Sequence, residues 1–341
     1  MRKSMRLFAA TAASLALLTT TACGKSDSAD SGLTPFPMAI FGGETYALDH
    51  IALEKGFFAD NGLAVEAIKP SAGGGAANTL FIGGDIKTWP GNPSIPLVNV
   101  TGGKPITLVG GIENWIPIAL QVADPSALSN SGDFATRVRA LEGKTIGITG
   151  PGSLVETALL AALDFAGVAA DDVTILGIGD SASALGQLKA GRIDGYVTFS
   201  RTDSLLLQQE AGASEYLDFS GPSAPAELAS LSLWSFPFLP DYIAAEPEAV
   251  EGYVAAIKQA HAWSAENLSE AAEIVSKTAY QGKYADLVQT GLQASLESSA
   301  GDDFRIDESV YTHLIELLAG RGSLPADAPT NPAFSFATVV G

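Results

Sequence analysis

From residue 36 onward, short apolar runs rich in β-forming residues alternate with longer stretches of helical period, and this confines the chain to an α/β architecture. A first series reads PMAIF, a helical pattern over 44–58, LAVEAI, a second helical pattern over 75–82, and PITLVGG. After the segment IPIALQVAD comes a second series of the same plan. It reads KTIGITG, helix 153–165, DVTILGIG, helix 181–189, DGYVTFS and helix 202–211. A further apolar strand is expected over 228–236, and four helical patterns follow at 247–265, 268–278, 283–296 and 307–318. The packing that uses every piece has two lobes. The chain would cross at about 116–122 and return at about 229–236, giving a discontinuous lobe 1 (36–118 and 237–341) and a lobe 2 (119–236).

The amino terminus reads as a targeting segment. Cationic residues 1–6, an apolar run over 7–18 and small residues up to Ala22 make residues 1–22 a secretory signal, its apolar run too short for a permanent membrane helix. Residues 23–35 are polar and aperiodic, as in a flexible tether. The Thr20-Thr21-Ala22-Cys23 junction resembles a bacterial lipoprotein cleavage box, departing from it in Thr20 where leucine is commonest. That resemblance implies a lipid on Cys23 and an anchor at the outer face of the cytoplasmic membrane, the alternative being ordinary cleavage and a released protein. Cys23 is the chain's single cysteine, so neither an internal disulfide nor a cysteine-rich metal site is available. The formal charge of −19 argues against nucleic acid, which is bound through clustered cations.

Two stretches carry a family resemblance. ALDHIALEKGFFADNGLAVEAI (47–68), with its EKGFF and NGLAVE core, resembles the opening of substrate-binding proteins of the nitrate/sulfonate/taurine type of ABC importer, whose relatives also bind thiamine pyrimidine precursors. RALEGKTIGITGPGSLVETALLAALDFAGVAADDVTIL (139–176) and ALGQLKAGRIDGYVTF (184–199) resemble the same family in order and spacing. The resemblance implies the periplasmic-binding-protein fold of the second type, with ligand held between lobes. It also implies a permease and its ATPase subunits as partners, and a monomer. Where many members carry a small-residue loop after "G-x-x-D", this chain has GGDIKTWPGNPS (83–94).

In such sheets, ligands lie beyond the carboxyl ends of strands, where loops lead into helix starts. Four junctions fall there: FGGET (41–45), WPGNP (89–93), TGPGS (149–153) and TFSRTD (198–203). Their backbone N–H groups suit carboxylate or sulfonate oxygens. The candidate ligand-binding residues are therefore Phe41, Gly42, Gly43, Glu44, Thr45, Trp89, Asn92, Thr149, Gly152, Ser153, Thr198, Phe199, Ser200 and Arg201, with Trp115 and Trp234 near the crossovers. Ser153 with Glu156 and Ser200 with Asp203 read as capping boxes, and Asn92 before Pro93 as an N-cap; each either caps only or also touches ligand. Trp89 is a candidate for stacking on ligand, while Trp115 and Trp234 either pack between lobes or face the cleft.

Arg201 is the one cation at these junctions and a candidate clamp for a carboxylate or sulfonate; Glu44 and Asp203 are the acids beside it. The three histidines lie on separate helical patterns, so no metal site is expected, and TGPGS lacks the Gly-Lys-Ser/Thr of a phosphate loop. No cofactor and no catalytic constellation are expected. The function read from the chain is a receptor for a small organic anion or zwitterion of the sulfonate, taurine or aromatic carboxylate class. A heteroaromatic vitamin precursor, or a thiamine-pyrimidine synthase-like enzyme, is the alternative.

Overall fold

The computed structural model describes residues 32–70, 73–101, 103–128, 132–299, 301 and 303–324. The targeting segment, Cys23 and most of the tether lie outside these residues. The first α/β series opens with β1 (Thr34–Ala39), α1 (Ala47–Lys55), α2 (Phe57–Asp60) and β2 (Leu63–Ile68). β1 and β2 run parallel, joined through the EKGFF corner, where Phe57 and Phe58 are buried. α3 (Gly73–Gly83), α4 (Ser94–Thr101) and β3 (Thr107–Ile112) complete the series.

β1 does not end the sheet. Met38 bridges to Thr88, Gly91 bridges to Ser235, and Ser235 belongs to β9 (Trp234–Phe238), which lies antiparallel to β3. The first sheet therefore reads β2, β1, the 88–91 segment, β9, β3. Both flanks of its tryptophan-bearing segment are paired, which seats Trp89 in the interior.

The second sheet has the order β6-β5-β7-β4-β8. Its strands are β4 (Ala119–Val122), β5 (Thr145–Ile148), β6 (Thr174–Gly177), β7 (Gly195–Thr198) and β8 (Ser214–Asp218). β5 pairs parallel with β6 and β7, and β4 pairs antiparallel with β7 and β8. Its helices are α5 (Phe134–Arg139), α6 (Leu154–Ala166), α7 (Ser181–Lys189) and α8 (Arg201–Ala211). The α/β class, the two sheets and the helical tail thus follow the alternation in the sequence.

Two expectations change. The strand expected over 228–236 is instead α9 (Ala226–Ala229), a tight turn over Ser230–Ser232, and then β9. The serines make the difference: Ser230 Oγ donates to the Glu227 carbonyl and Ser232 Oγ to the Ile116 carbonyl, bonds that a strand would forgo. The expected division at 236/237 consequently falls inside β9, all of which pairs toward β3.

The tail was expected to belong wholly with the first sheet. α10 (Pro240–Ala245), α11 (Pro247–Glu266) and α12 (Leu268–Ala279) do pack around α1, α2 and one another. α13 (Ala285–Ser298), however, packs on α12 and on α8 of the second series, and α14 (Glu308–Gly320) packs on α9. Arg321, just beyond α14, pairs with Asp164 of α6. An aromatic group anchors the first sheet to α11. The Tyr253 ring is stacked 5.6 Å from Phe36 and 5.8 Å from Phe58, and its hydroxyl donates to the buried Asp49 carboxyl.

Candidate functional site

The loop after β1 and the start of α8 meet directly. Gly43, at φ 117°, turns the chain where a side chain would be strained, and aims Glu44 inward. Glu44 is fully buried. Its Oε1 accepts from Ser295 Oγ of α13 at 2.8 Å, and its Oε2 accepts from Ser200 Oγ at 3.0 Å and the Thr202 N–H at 3.4 Å. The Glu44 N–H donates to the Tyr280 hydroxyl, which donates in turn to Asp203 Oδ1 at 3.1 Å; Ser181 Oγ donates to Asp203 Oδ2. Beside them Thr45 Oγ1 donates to the Phe199 carbonyl, and Trp115 Nε1 to the Thr45 carbonyl, both at 2.8 Å.

Burial pushes the Glu44 carboxyl above the ordinary carboxylate range; Ser295, Ser200 and the Thr202 N–H act against that, and Asp203 adds like charge. Burial raises Asp203 as well, opposed by the hydroxyls of Ser181 and Tyr280. Each acid is therefore held by donors from other elements, so the junction is a polar knot tying the loop after β1, α8, and the tail.

Next to this knot, where the two connections between sheets pass, lies a cavity of about 370 Å³. Asn114 and Pro117 line it from the outgoing connection, Ser220 and Ser232 from the return, Arg201 from α8, and Ala294, Ser295 and Ser298 from α13. Ser298 Oγ donates to the Asn114 carbonyl and Ser220 Oγ accepts from the Ile118 N–H, so the same serines that line the cavity also tie the connections. Arg201 Nη1 lies 3.0 Å from Glu215 Oε2, with both side chains well exposed to solvent. Such pairs contribute about 0–1 kcal/mol, so an incoming oxyanion can take Glu215's place at low cost.

Of the candidates read from sequence, Arg201 lines the cavity, and Glu44, Thr45, Phe199 and Ser200 form the knot beside it. Ser153 caps α6 through the Glu156 N–H and Ser200 caps α8 through the Asp203 N–H. Asn92 accepts from the Ser94 N–H at the start of α4, but its amide also donates to the Leu231 and Leu233 carbonyls, leaving it buried and fully used. The TGPGS loop is tied to its neighbours: Glu156 accepts from the Gly152 N–H at 2.5 Å, and the Thr149 carbonyl accepts from the Gly179 N–H. Thr198 bonds within the second sheet, to the Ala119 carbonyl.

Trp89 is buried beside Gly74 and Gly91, with its Nε1 unpartnered, and Trp234 packs edge-on against Tyr46. Phe41 stands 4.9 Å from Tyr46, and Gly42 is exposed. Phe41 and Trp234 thus both pack on Tyr46. Among the described residues no group of three His, Cys, Asp or Glu side chains is placed to hold a metal ion.

Sequence reasoning missed Ser181, Tyr280, Ser295 and the serines and asparagine of the cavity. One signal was available: Gly291 in the middle of the α13 pattern. A Cβ there would sit 2.5 Å from Thr202 Oγ1 and 3.3 Å from Glu44 Cδ, so glycine is what lets α13 reach the knot.

Comparison with solved structures places this fold among known ones. The alkanesulfonate-binding protein SsuA of Xanthomonas axonopodis pv. citri, bound to MOPS, matches with TM-score 0.68 and 16% identity over 89% of this chain and 98% of that one. The periplasmic nitrate-binding protein NrtA of Synechocystis PCC 6803 matches with TM-score 0.62 and 17% identity over 87% and 84%. The desulfurization enzyme DszB matches with TM-score 0.60 and 15% identity over 86% and 94%, so the fold carries binding proteins and an enzyme alike. No curated protein matches the chain. Residues 46–271, well over half the sequence, match the family model described as NMT1/THI5 like. With the two sheets, the paired connections and the cavity between them, the chain belongs to the NMT1/THI5-like family and has its two-lobed α/β fold.

Proposed function

We propose that this protein is the extracytoplasmic substrate-binding protein of an ABC importer, taking a small organic anion or zwitterion of the sulfonate, taurine or carboxylate class between its lobes. The observation that carries the charge class is Arg201 at the wall of a cavity otherwise lined without a cation, its guanidinium held by one exposed carboxylate. A planar guanidinium receives a carboxylate or sulfonate through two parallel N–H bonds. A volume of about 370 Å³ is near the lower end of small-molecule sites, roughly 300–1,000 Å³, and favours a ligand of modest size. The name of the alkanesulfonate-binding neighbour supports the same class.

In this reading, binding shifts a hinge equilibrium, and the closed form docks on a permease served by ATPase subunits. No bond is broken, the chain acts as a monomer, and a lipid on Cys23 holds it at the outer face of the cytoplasmic membrane. No helix among the described residues is long and apolar enough to cross a membrane, which is compatible with such an anchor. We take the lobes as 36–118 with the tail and 119–233, moving the return boundary ahead of β9 because that strand pairs with β3.

A thermal-shift screen against alkyl and aryl sulfonates, taurine, aromatic acids, nitrate, aminopyrimidines and flavins tests the reading. A ligand that binds the folded state alone raises its melting temperature with the logarithm of concentration. A sulfonate or carboxylate is expected to give the shift, and Arg201→Ala to abolish it. A shift from an uncharged pyrimidine or a flavin alone would overturn the anion assignment.

A further inference from the structure

The amino end of α8 already holds a carboxyl group, and it is the protein's own. Helix starts attract anions because their first N–H groups lack intrahelical partners and carry the positive end of the helix dipole. Here the Thr202 N–H and the Ser200 hydroxyl both point at Glu44 Oε2, a residue 158 positions before Thr202 and carried by the loop after β1. Ser295 of α13 completes the cradle at Oε1. Glycine in a helix interior is unfavourable relative to alanine, and Gly291 stands where its missing Cβ leaves room for the Glu44 carboxyl and the Thr202 N–H. Three separate elements are therefore shaped around one carboxyl group beside the cavity that holds Arg201.

We propose that Glu44 is a specificity-determining residue: a tethered carboxyl that occupies the amide end of α8, denies it to small free oxyanions, and leaves Arg201 as the group that receives the ligand's charge. The inference rests on the receptor reading for the place of the ligand. Asp203, held by Tyr280 and Ser181, fixes the first turn of α8 within the same knot. A free oxyanion entering here must first displace a carboxyl group whose effective local concentration is set by its own backbone. Small inorganic anions, with no second contact to offer, lose that competition. An organic anion escapes it by docking at Arg201, where Glu215 is the weaker and more exposed rival.

The test is titration calorimetry of the protein and of Glu44→Ala with acetate and with sulfate, in mildly alkaline buffer at constant ionic strength. Acetate replaces the missing carboxylate, so Glu44→Ala is expected to bind it saturably and at least tenfold more tightly than the parent protein. Adding Ser200→Ala should remove the gain. Equal or weaker oxyanion binding by Glu44→Ala overturns the proposal. Should that variant fail to fold, amide NMR of the unaltered protein decides: the Thr202 and Asp203 N–H resonances should stay unmoved through a sulfate titration, and saturable shifts there overturn it. Failure of the receptor reading looks different, since it would leave the protein without an organic ligand while the Glu44→Ala gain stands.

Discussion

Replacing Gly291 with alanine sets two effects of opposite sign against each other. In an ordinary helix interior the change stabilises by about 1 kcal/mol, because glycine loses more backbone freedom on folding. At 291 the new Cβ would stand 2.5 Å from Thr202 Oγ1 and 3.0 Å from the Thr202 nitrogen. The nitrogen is backbone at the first turn of α8 and yields only if α8 and α13 part. Overpacking of this kind costs about 1–3 kcal/mol. Parting the helices also weakens the Thr202 N–H and Ser295 bonds to Glu44, and such hydrogen bonds contribute about 0.5–1.5 kcal/mol each. The penalties exceed the propensity gain, and a net loss of about 3 kcal/mol is expected. Gly186 is the internal control: it lies exposed within α7 with nothing within 4 Å of its would-be Cβ, so Gly186→Ala should gain about 1 kcal/mol. Urea unfolding followed by tryptophan fluorescence measures both. If Gly291→Ala stabilises as Gly186→Ala does, α13 does not press on the start of α8, and the account of Glu44 fails with it.

Two further outcomes are expected. Asp49 is buried with Oδ2 unpartnered, and burial raises its carboxyl from 3.8 to about 7. The folded state then holds this proton more firmly than the unfolded state, so stability falls as pH rises from about 4 to about 7 and levels off above. The full fall from this group is about 4 kcal/mol, and Asp49→Asn should lack it, melting above the parent at pH 8 and converging with it toward pH 4. Tyr280→Phe removes both the acceptor for the Glu44 N–H and the donor to Asp203. Each buried group left without a partner costs about 1–3 kcal/mol, so a loss of at least about 2 kcal/mol is expected by denaturant titration, and a smaller loss would show that water reaches the knot.

The alternation of apolar runs and helical patterns determined the α/β class, the two sheets and the helical tail, because hydrophobic period is a local property of consecutive residues. The caps at Ser153 and Ser200 were legible for the same reason, since a capping bond spans three residues. The serine-rich return segment misled, as its apolar content hid hydroxyls that bond back to backbone and turn the chain before β9. Tertiary structure alone decided the site. Glu44 and Ser295 lie 251 residues apart, and no local pattern says that a tail helix closes over the opening loop. Trp89, placed by sequence in a loop leading into a helix, is drawn inside because the segment carrying it pairs on both sides within the first sheet. Which polar groups face ligand and which face each other depends on how two sheets and a tail pack. That packing is settled by surface matched between elements distant in sequence, which the order of residues along any one of them does not contain.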